Sequence, residues 1–442
     1  MKRIAMSLCF LLLACVLLLP AGSPSEAAPS LSLLVHPYGF GPGVSGLILH
    51  LPERADGIAL DDLHIEIMGQ ERDASSVFLS DAHGLSVNGA SDCAVIGLSG
   101  RNLMGTCLFA LSGGGQKEWI QSCPVSLQGT LRIGDQTVSL SLEEDCAGRI
   151  VCPENDLFPE RYAWSEVSVN PLTGQEEVQT IRMAASAPEA LHGGAPNPLI
   201  IFLHGAGEGG KNLDAAVLGN EVSRLAQADI QSHFTSQDGS TGAYVLLPQC
   251  ETVWMDEGDG LNGKGQGRSR YTETLMNAIQ DYLENHPDVD RSRIYLGGCS
   301  NGGYMTMHLL CEYPGVFAAA FPVCEALDTD GREDLIEVLS SQSIWFVQSQ
   351  DDPVVDPERY VIPTFVDLVF EDARDCHLSM FEGYQHAVWS AVFHDLVRGV
   401  QDPDEIFENM AAVPGRERGG EYTALGFDNL FDWLNAHVLS GD

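Results

Sequence analysis

The sequence predicts an α/β fold over residues 153–442, a mostly parallel sheet with helices on both faces, preceded by a small β-sandwich-like domain over residues 28–152. Three observations carry this. A chain of 442 residues is long for one hydrophobic core, so two units are expected. Up to about residue 150, short apolar runs alternate at period two; from about residue 155 onward, near-continuous apolar runs alternate with helix-like stretches. Finally, Gly298-Cys299-Ser300-Asn301-Gly302 lies between an apolar run and a helix-like segment, where a strand turns sharply into a helix.

Ahead of the first unit, Lys2-Arg3 precede the apolar stretch Ile4–Leu19, then Pro20, Gly22 and Ser25-Glu26-Ala27. This pattern predicts a secretory signal peptide over residues 1–27, cut near Ala27, and hence a secreted, extracellular protein. About sixteen apolar residues is short for a membrane span, so none is expected. Leu12-Leu13-Ala14-Cys15 resembles a lipoprotein box, but the apolar run continues through Val16–Leu19 past the cysteine.

Within residues 28–152, Gly46–Leu51, Leu63–Met68, Ser76–Leu79 and Thr137–Leu142 read as strands separated by Gly, Asp, Asn and Ser clusters. Such short, turn-separated strands favour an antiparallel, immunoglobulin-like sandwich. In the second unit the apolar runs 199–203, 243–247, 294–296, 318–323, 344–347 and 378–381 read as strands buried on both faces, with helices at 271–285 and 357–372.

Sixty-two acidic against 23 basic residues give a formal charge of −39, which repels phosphate backbones and anionic membranes and excludes nucleic acid as the main partner. Polyanionic substrates are disfavoured for the same reason. Of twelve cysteines, Cys9 and Cys15 fall in the leader. The even remainder in an exported chain predicts disulfides, with Cys93, Cys107, Cys123, Cys146 and Cys152 the first candidates and Cys299, Cys311 and Cys324 read as buried free thiols. No C-x-x-C pair exists, which weakens a zinc-ribbon reading; no metal and no cofactor are expected.

The chemistry centres on Ser300. In a strand-to-helix turn the residues two before and two after the serine approach so closely that only small side chains fit, and Gly298 and Gly302 meet that condition. Cys299 is a rival nucleophile, but a turn centred on it would put Asn301 where a glycine is required. A serine hydroxyl needs a base, and the oxyanion needs donors. In the α/β-hydrolase arrangement the order is Ser, acid, His, with acid and base in loops after strands. Asp352 is favoured as the acid because its D-x-x-V spacing lets Val355 tuck inward; Asp351 stands next, Asp356 reads as an N-cap to a helix from Pro357, and Asp328 and Asp330 are outside options. His386, in the loop after the last strand, is the base candidate, whereas His377, His394 and His437 read as strand or helix residues. The loop His204–Gly210 supplies the second oxyanion donor: the N–H of Ala206, or Gly205, would join that of Asn301. His204 itself reads as structural, and no Gly-Lys-Ser/Thr ends this run, so it is not a phosphate loop.

Together with Val245–Cys250, Phe317–Val323 and Val354–Pro357, these motifs resemble secreted bacterial α/β-hydrolases grouped with prolyl oligopeptidase-like serine hydrolases and with polyhydroxybutyrate depolymerase- and feruloyl-like esterases. The resemblance covers roughly residues 155–442. It departs at Gln348-Ser349, where the superfamily commonly has His-Gly before the acid. It implies a Ser–His–Asp hydrolase. True prolyl oligopeptidases carry a seven-bladed propeller, and seven blades of about 40–45 residues do not fit the first unit. A carboxylic-ester hydrolase is therefore expected, with feruloyl or acetyl esters, possibly polysaccharide-linked, as substrate; a peptidase on the same residues and an inert surface- or carbohydrate-binding protein are the alternatives. The first unit reads as a binding or spacer module.

Overall fold

A computed structural model of the protein describes residues 28–188, 196–235, 239, 241–373, 375–398 and 429–439. The signal peptide expected over residues 1–27, its cleavage point and Cys15 lie outside the described residues.

The first unit contains β1 (Ser30–Tyr38), β2 (Gly41–Ala55), β3 (Ile58–Ile67), β4 (Gln70–Arg72), β5 (Ala74–Ser80), β6 (Ser91–Leu98), β7 (Phe109–Leu111), β8 (Lys117–Trp119), β9 (Pro124–Ile133), β10 (Gln136–Asp145) and β11 (Ile150–Val151). They form a sheet β11-β1-β2-β6-β5, a sheet β10-β9-β3-β4 and a separate hairpin β7-β8. Period two decides what meets what: Leu31, Leu33 and Val35 of β1 pack with Ile65, Ile67, Leu127 and Leu131 of the facing sheet, while Leu34 turns the other way onto Ile48 and Val95. The strand expected through Met68 stops at Ile67, because Met68 and Gly69 both take positive φ (53° and 75°) to turn the β3-β4 hairpin.

The second unit is one sheet of β12 (Glu160–Val169), β13 (Glu176–Ser186), β14 (Asn197–Leu203), β15 (Tyr244–Cys250), β16 (Val289–Cys299), β17 (Ala319–Val323), β18 (Ser343–Ser349) and β19 (Asp375–Phe381), ordered β12-β13-β15-β14-β16-β17-β18-β19. From β15 to β19 all pairings are parallel. Antiparallel β12 and β13 extend one edge; sequence reasoning missed both because β12 alternates exposed and half-buried side chains and has no apolar run. The described helices are α1 (Leu213–Leu218), α2 (Ala228–Gln231), α3 (Thr272–Asn285), α4 (Asn301–Glu312), α5 (Glu333–Ser340), α6 (Val361–Phe370), α7 (Trp389–Phe393) and α8 (Leu430–Ala436). Leu199 and Ile201 of β14 face α3, α4 and α6 through Ile279, Leu309 and Phe365, and Ile200 and Phe202 face the other side, against Val217, Phe393 and Phe431. This is the doubly covered sheet of an α/β-hydrolase.

Two expectations need correction. The helix placed from Pro357 begins at Val361, since residues 357–360 form a turn whose N–H groups at Arg359 and Tyr360 bond to the Asp356 carbonyl (3.1 and 3.2 Å). Asp356 still caps the segment, its Oδ1 accepting from the Glu358 N–H (3.0 Å), but what it caps is this turn ahead of the helix. The predicted disulfides are absent among the described residues: all ten cysteines from Cys93 to Cys376 are thiols, mostly buried as small apolar filler.

The two units share a core. Phe109 belongs to the same apolar cluster as Phe202, Val217 and Leu218, with Cys107, Trp119 and Cys152 packed against it. Trp119 Nε1 donates to Asp214 (2.8 Å), and Trp389 Nε1 donates to the Gly39 carbonyl (3.3 Å). A first unit acting as a mere spacer would not be knitted in this way.

Candidate active site

Ser300 lies between β16 and α4 with φ 55° and ψ −114°, a strained conformation for a residue with a Cβ. Its own N–H bonds to the Val323 carbonyl (2.8 Å). The glycine requirement is physical: a Cβ on Gly302 would sit 1.9 Å from the Leu203 carbonyl oxygen, and one on Gly298 would sit 2.4 Å from that of Gly302. Cys299 points away into the core, where its thiol lies 3.6 Å from Asn220 Nδ2 and burial pushes its pKa far up. It cannot supply a thiolate.

His386 Nε2 stands 3.0 Å from Ser300 Oγ, and Nδ1 stands 2.9 Å from Asp352 Oδ2 and 3.1 Å from Oδ1. Asp352 is anchored by two N–H groups, Val354 (2.8 Å) and Val355 (3.0 Å), and Val355 is buried in the core. The carboxylate holds the ring so that Nε2, facing the hydroxyl, is the free base position.

The competing residues are placed elsewhere. Asp351 accepts from Ser349 Oγ (2.7 Å) and from the N–H groups of Gly383 and Gln385 (3.1 and 3.3 Å), which hold its pKa below the usual carboxylate range. Asp328 pairs with Arg359 (3.1 Å), and Asp330 bonds through its N–H to Asp328 (3.3 Å). His377 and His437 both bond to Asp375, and His394 bonds to Glu221 (3.0 Å). His204 accepts from the Cys250 N–H at Nε2 (3.2 Å), so Nδ1–H donates to the Gly205 carbonyl (2.7 Å), and burial holds the ring neutral. It is a loop brace.

For the oxyanion, Asn301 is the first residue of α4 and Ala206 the first of the short 3-10 turn Ala206–Glu208, so neither N–H has an acceptor within its own helix. Gly205 packs against Cys299, where an added Cβ would lie 3.7 Å from Sγ. Ala206, the first residue of the turn, is the loop candidate carried forward. Sequence reasoning missed the side chain of Asn301: its Oδ1 accepts from Trp254 N (2.5 Å) and Met255 N (3.3 Å), and its Nδ2 donates to Asn262 (2.6 Å), tying the loop after β15 to the nucleophile turn. Cys324 Sγ, Asp352 and His386 come within 4.8 Å of one another, a spacing a metal could use. The Cys324 thiol, however, is pushed well above its ordinary pKa by burial and donates to the His386 carbonyl (3.8 Å), so it offers no soft thiolate.

Residues 254–367 match the prolyl oligopeptidase family. A poly(3-hydroxyalkanoate) depolymerase C of Paucimonas lemoignei is 27% identical over 151 residues, 32% of this chain and 31% of that protein, so the match spans about a third of the relative's length. A thermostable esterase of known structure superposes with a TM-score of 0.65 at 22% identity, over 83% of this chain and 96% of that one, a likeness that shows the fold. The chain has the α/β-hydrolase fold and resembles serine hydrolases of these kinds, which supports an enzyme of the serine-hydrolase type.

Proposed function

We propose that the protein hydrolyses carboxylic esters through Ser300, His386 and Asp352. The observation that carries this reading is the continuous hydrogen-bond chain from the Ser300 hydroxyl through both ring nitrogens of His386 to the Asp352 carboxylate. His386 takes the serine proton as Oγ attacks the ester carbonyl; the N–H groups of Asn301 and Ala206 receive the oxyanion; the imidazolium returns the proton to the leaving alkoxide. Water, activated by the same imidazole, then releases the acid from the acyl-enzyme.

Alkoxide departure needs less assistance than amine departure, and the first unit consists of two packed sheets and a hairpin, without the radially arranged blades of a gated oligopeptidase. Both points favour ester over peptide substrates. Feruloyl or acetyl esters are the proposed substrates, with the polyester named for the depolymerase relative as a further ester to try. Export by residues 1–27 is part of the proposal, read out by N-terminal sequencing of the mature protein.

A fluorophosphonate probe should label Ser300 and not Ser300→Ala, which excludes an inert binding protein. A panel of p-nitrophenyl esters, methyl ferulate, a poly(3-hydroxyalkanoate) film and peptide anilides separates the substrate classes. Turnover of anilides but not esters would replace the esterase reading with a peptidase.

A further inference from the structure

Glu208 belongs to the glycine-rich loop that carries Ala206, yet its carboxylate folds back beneath that loop and is almost wholly buried. A Cβ on Gly205 would lie 2.9 Å from Glu208 Oε2, and one on Gly219 would lie 2.4 Å from Glu208 Cγ. Burial alone would raise the pKa of such a group, but it is held below its ordinary value by the charge and hydrogen bond of one cation, the ammonium of Lys117. Lys117 comes from β8 of the first unit, 91 residues earlier in the chain. Its Nζ bonds to Glu208 Oε1 (2.6 Å) and to the Gly219 carbonyl (2.6 Å), and its stem runs along Gly207, where an added Cβ would meet Cε at 3.5 Å. The residues around it continue the same seam: Gln116 Nε2 donates to the Glu251 carbonyl (3.2 Å), and Asn212 Nδ2 to the Lys117 carbonyl (3.4 Å).

A loop with glycines at 205, 207, 209 and 210 has little conformational preference of its own. An oxyanion donor, however, acts only when fixed in advance, since a displacement of about 1 Å can cost about a hundredfold in rate. We infer that Lys117 is a positioning residue of the reaction, setting the Ala206 N–H against the nucleophile by clamping Glu208 from the first unit. The inference rests on the serine-hydrolase reading proposed above. The first unit is then a structural part of the active site, neither a tether nor a targeting device.

The test uses the full chain and p-nitrophenyl acetate. In Lys117→Met, kcat should fall by about 10- to 100-fold while KM stays within about threefold, because the donor matters to the developing oxyanion and little to the ground-state ester. Glu208→Gln should behave alike, and the double variant should be no worse than the poorer single, since both act through one contact. The fluorophosphonate should still label Ser300 in each variant, more slowly. A folded Lys117→Met with kcat within twofold of wild type, a loss confined to KM, or single losses that multiply in the double variant would each overturn the inference. If Lys117→Met does not fold, Lys117→Arg serves, keeping the charge but not the compact ammonium geometry: an intermediate loss in kcat alone supports the inference, and unchanged kcat overturns it. A wild type that takes no probe would overturn the serine-hydrolase reading and this inference together; a labelled wild type with an unaffected Lys117→Met overturns this inference alone.

Discussion

Asp351 and Asp352, adjacent in the chain, hold two parts of one segment: Asp352 binds the ring of His386 at 2.9 Å, and Asp351 binds the N–H groups of Gly383 and Gln385 in the approach to it. One fixes the base and the other fixes the loop that carries it. Asp352→Asn should lower kcat by roughly 10³-fold or more, by favouring the wrong imidazole tautomer. Asp351→Asn keeps an oxygen for those N–H groups and should cost about tenfold or less. Steady-state kinetics of the two variants on one ester decides it, and a larger loss at Asp351 would reverse the assignment.

Gly302→Ala probes the turn itself. The added methyl would lie 1.9 Å from the Leu203 carbonyl oxygen, which is backbone and cannot swing aside. The variant should lose about 3 kcal/mol or more of stability, or escape the clash by shifting α4 and so lose probe labelling. Chemical denaturation with the labelling assay reads both; a stable, fully active Gly302→Ala would contradict the geometry.

Glu325 provides a pH test. It follows β17, is fully buried, accepts from the Leu327 N–H (2.6 Å) through Oε2, and has no partner for Oε1 among the described residues. Burial pushes its pKa up to about 8 against the pull of that N–H. The folded state therefore holds a proton that the unfolded chain gives up near pH 4.5, so this group's contribution to stability is full below about pH 4.5 and is lost as pH rises toward 8. Glu325→Gln removes the titration. Its melting temperature should match wild type near pH 5 and exceed it progressively from pH 6 to 9; a constant offset across that range would mean that Glu325 does not titrate there.

Truncation to residues 153–442 should not give a sound enzyme. It removes Phe109 and Trp119 from a shared core and Lys117 from a buried carboxylate, and breaking such an ion pair costs about 3–5 kcal/mol. The fragment should be insoluble or melt far below the full chain, by calorimetry on both. A fragment with native melting behaviour and full p-nitrophenyl acetate turnover would restore the spacer view.

The sequence was most readable where sterics or local order left few options. Gly298 and Gly302 announce the turn because no side chain fits there, and Val355 separates Asp352 from Asp351 because a buried valine three residues on fixes which way the chain folds over. Strands buried on both faces are visible as apolar runs; β12, wet on one side and at the sheet edge, leaves no such trace. Lys117 and Glu208 were invisible for another reason: they meet only through the packing of two units, and no local pattern marks a lysine whose partner stands 91 residues later. The cysteines misled because an even count speaks of compartment, whereas pairing depends on proximity that the count does not encode.

Asn301 joins two parts of the site in one residue. Its backbone N–H is a proposed donor to the oxyanion, and its side chain grips Trp254, Met255 and Asn262 on the loop after β15. A bulky acyl or alcohol group that pushes this loop outward pulls on the same residue that must meet the developing charge. Poor fit would then be felt as a slower chemical step more than as weaker association, so the enzyme would discriminate among esters by turnover. Across a homologous series of p-nitrophenyl esters, kcat should change more than KM.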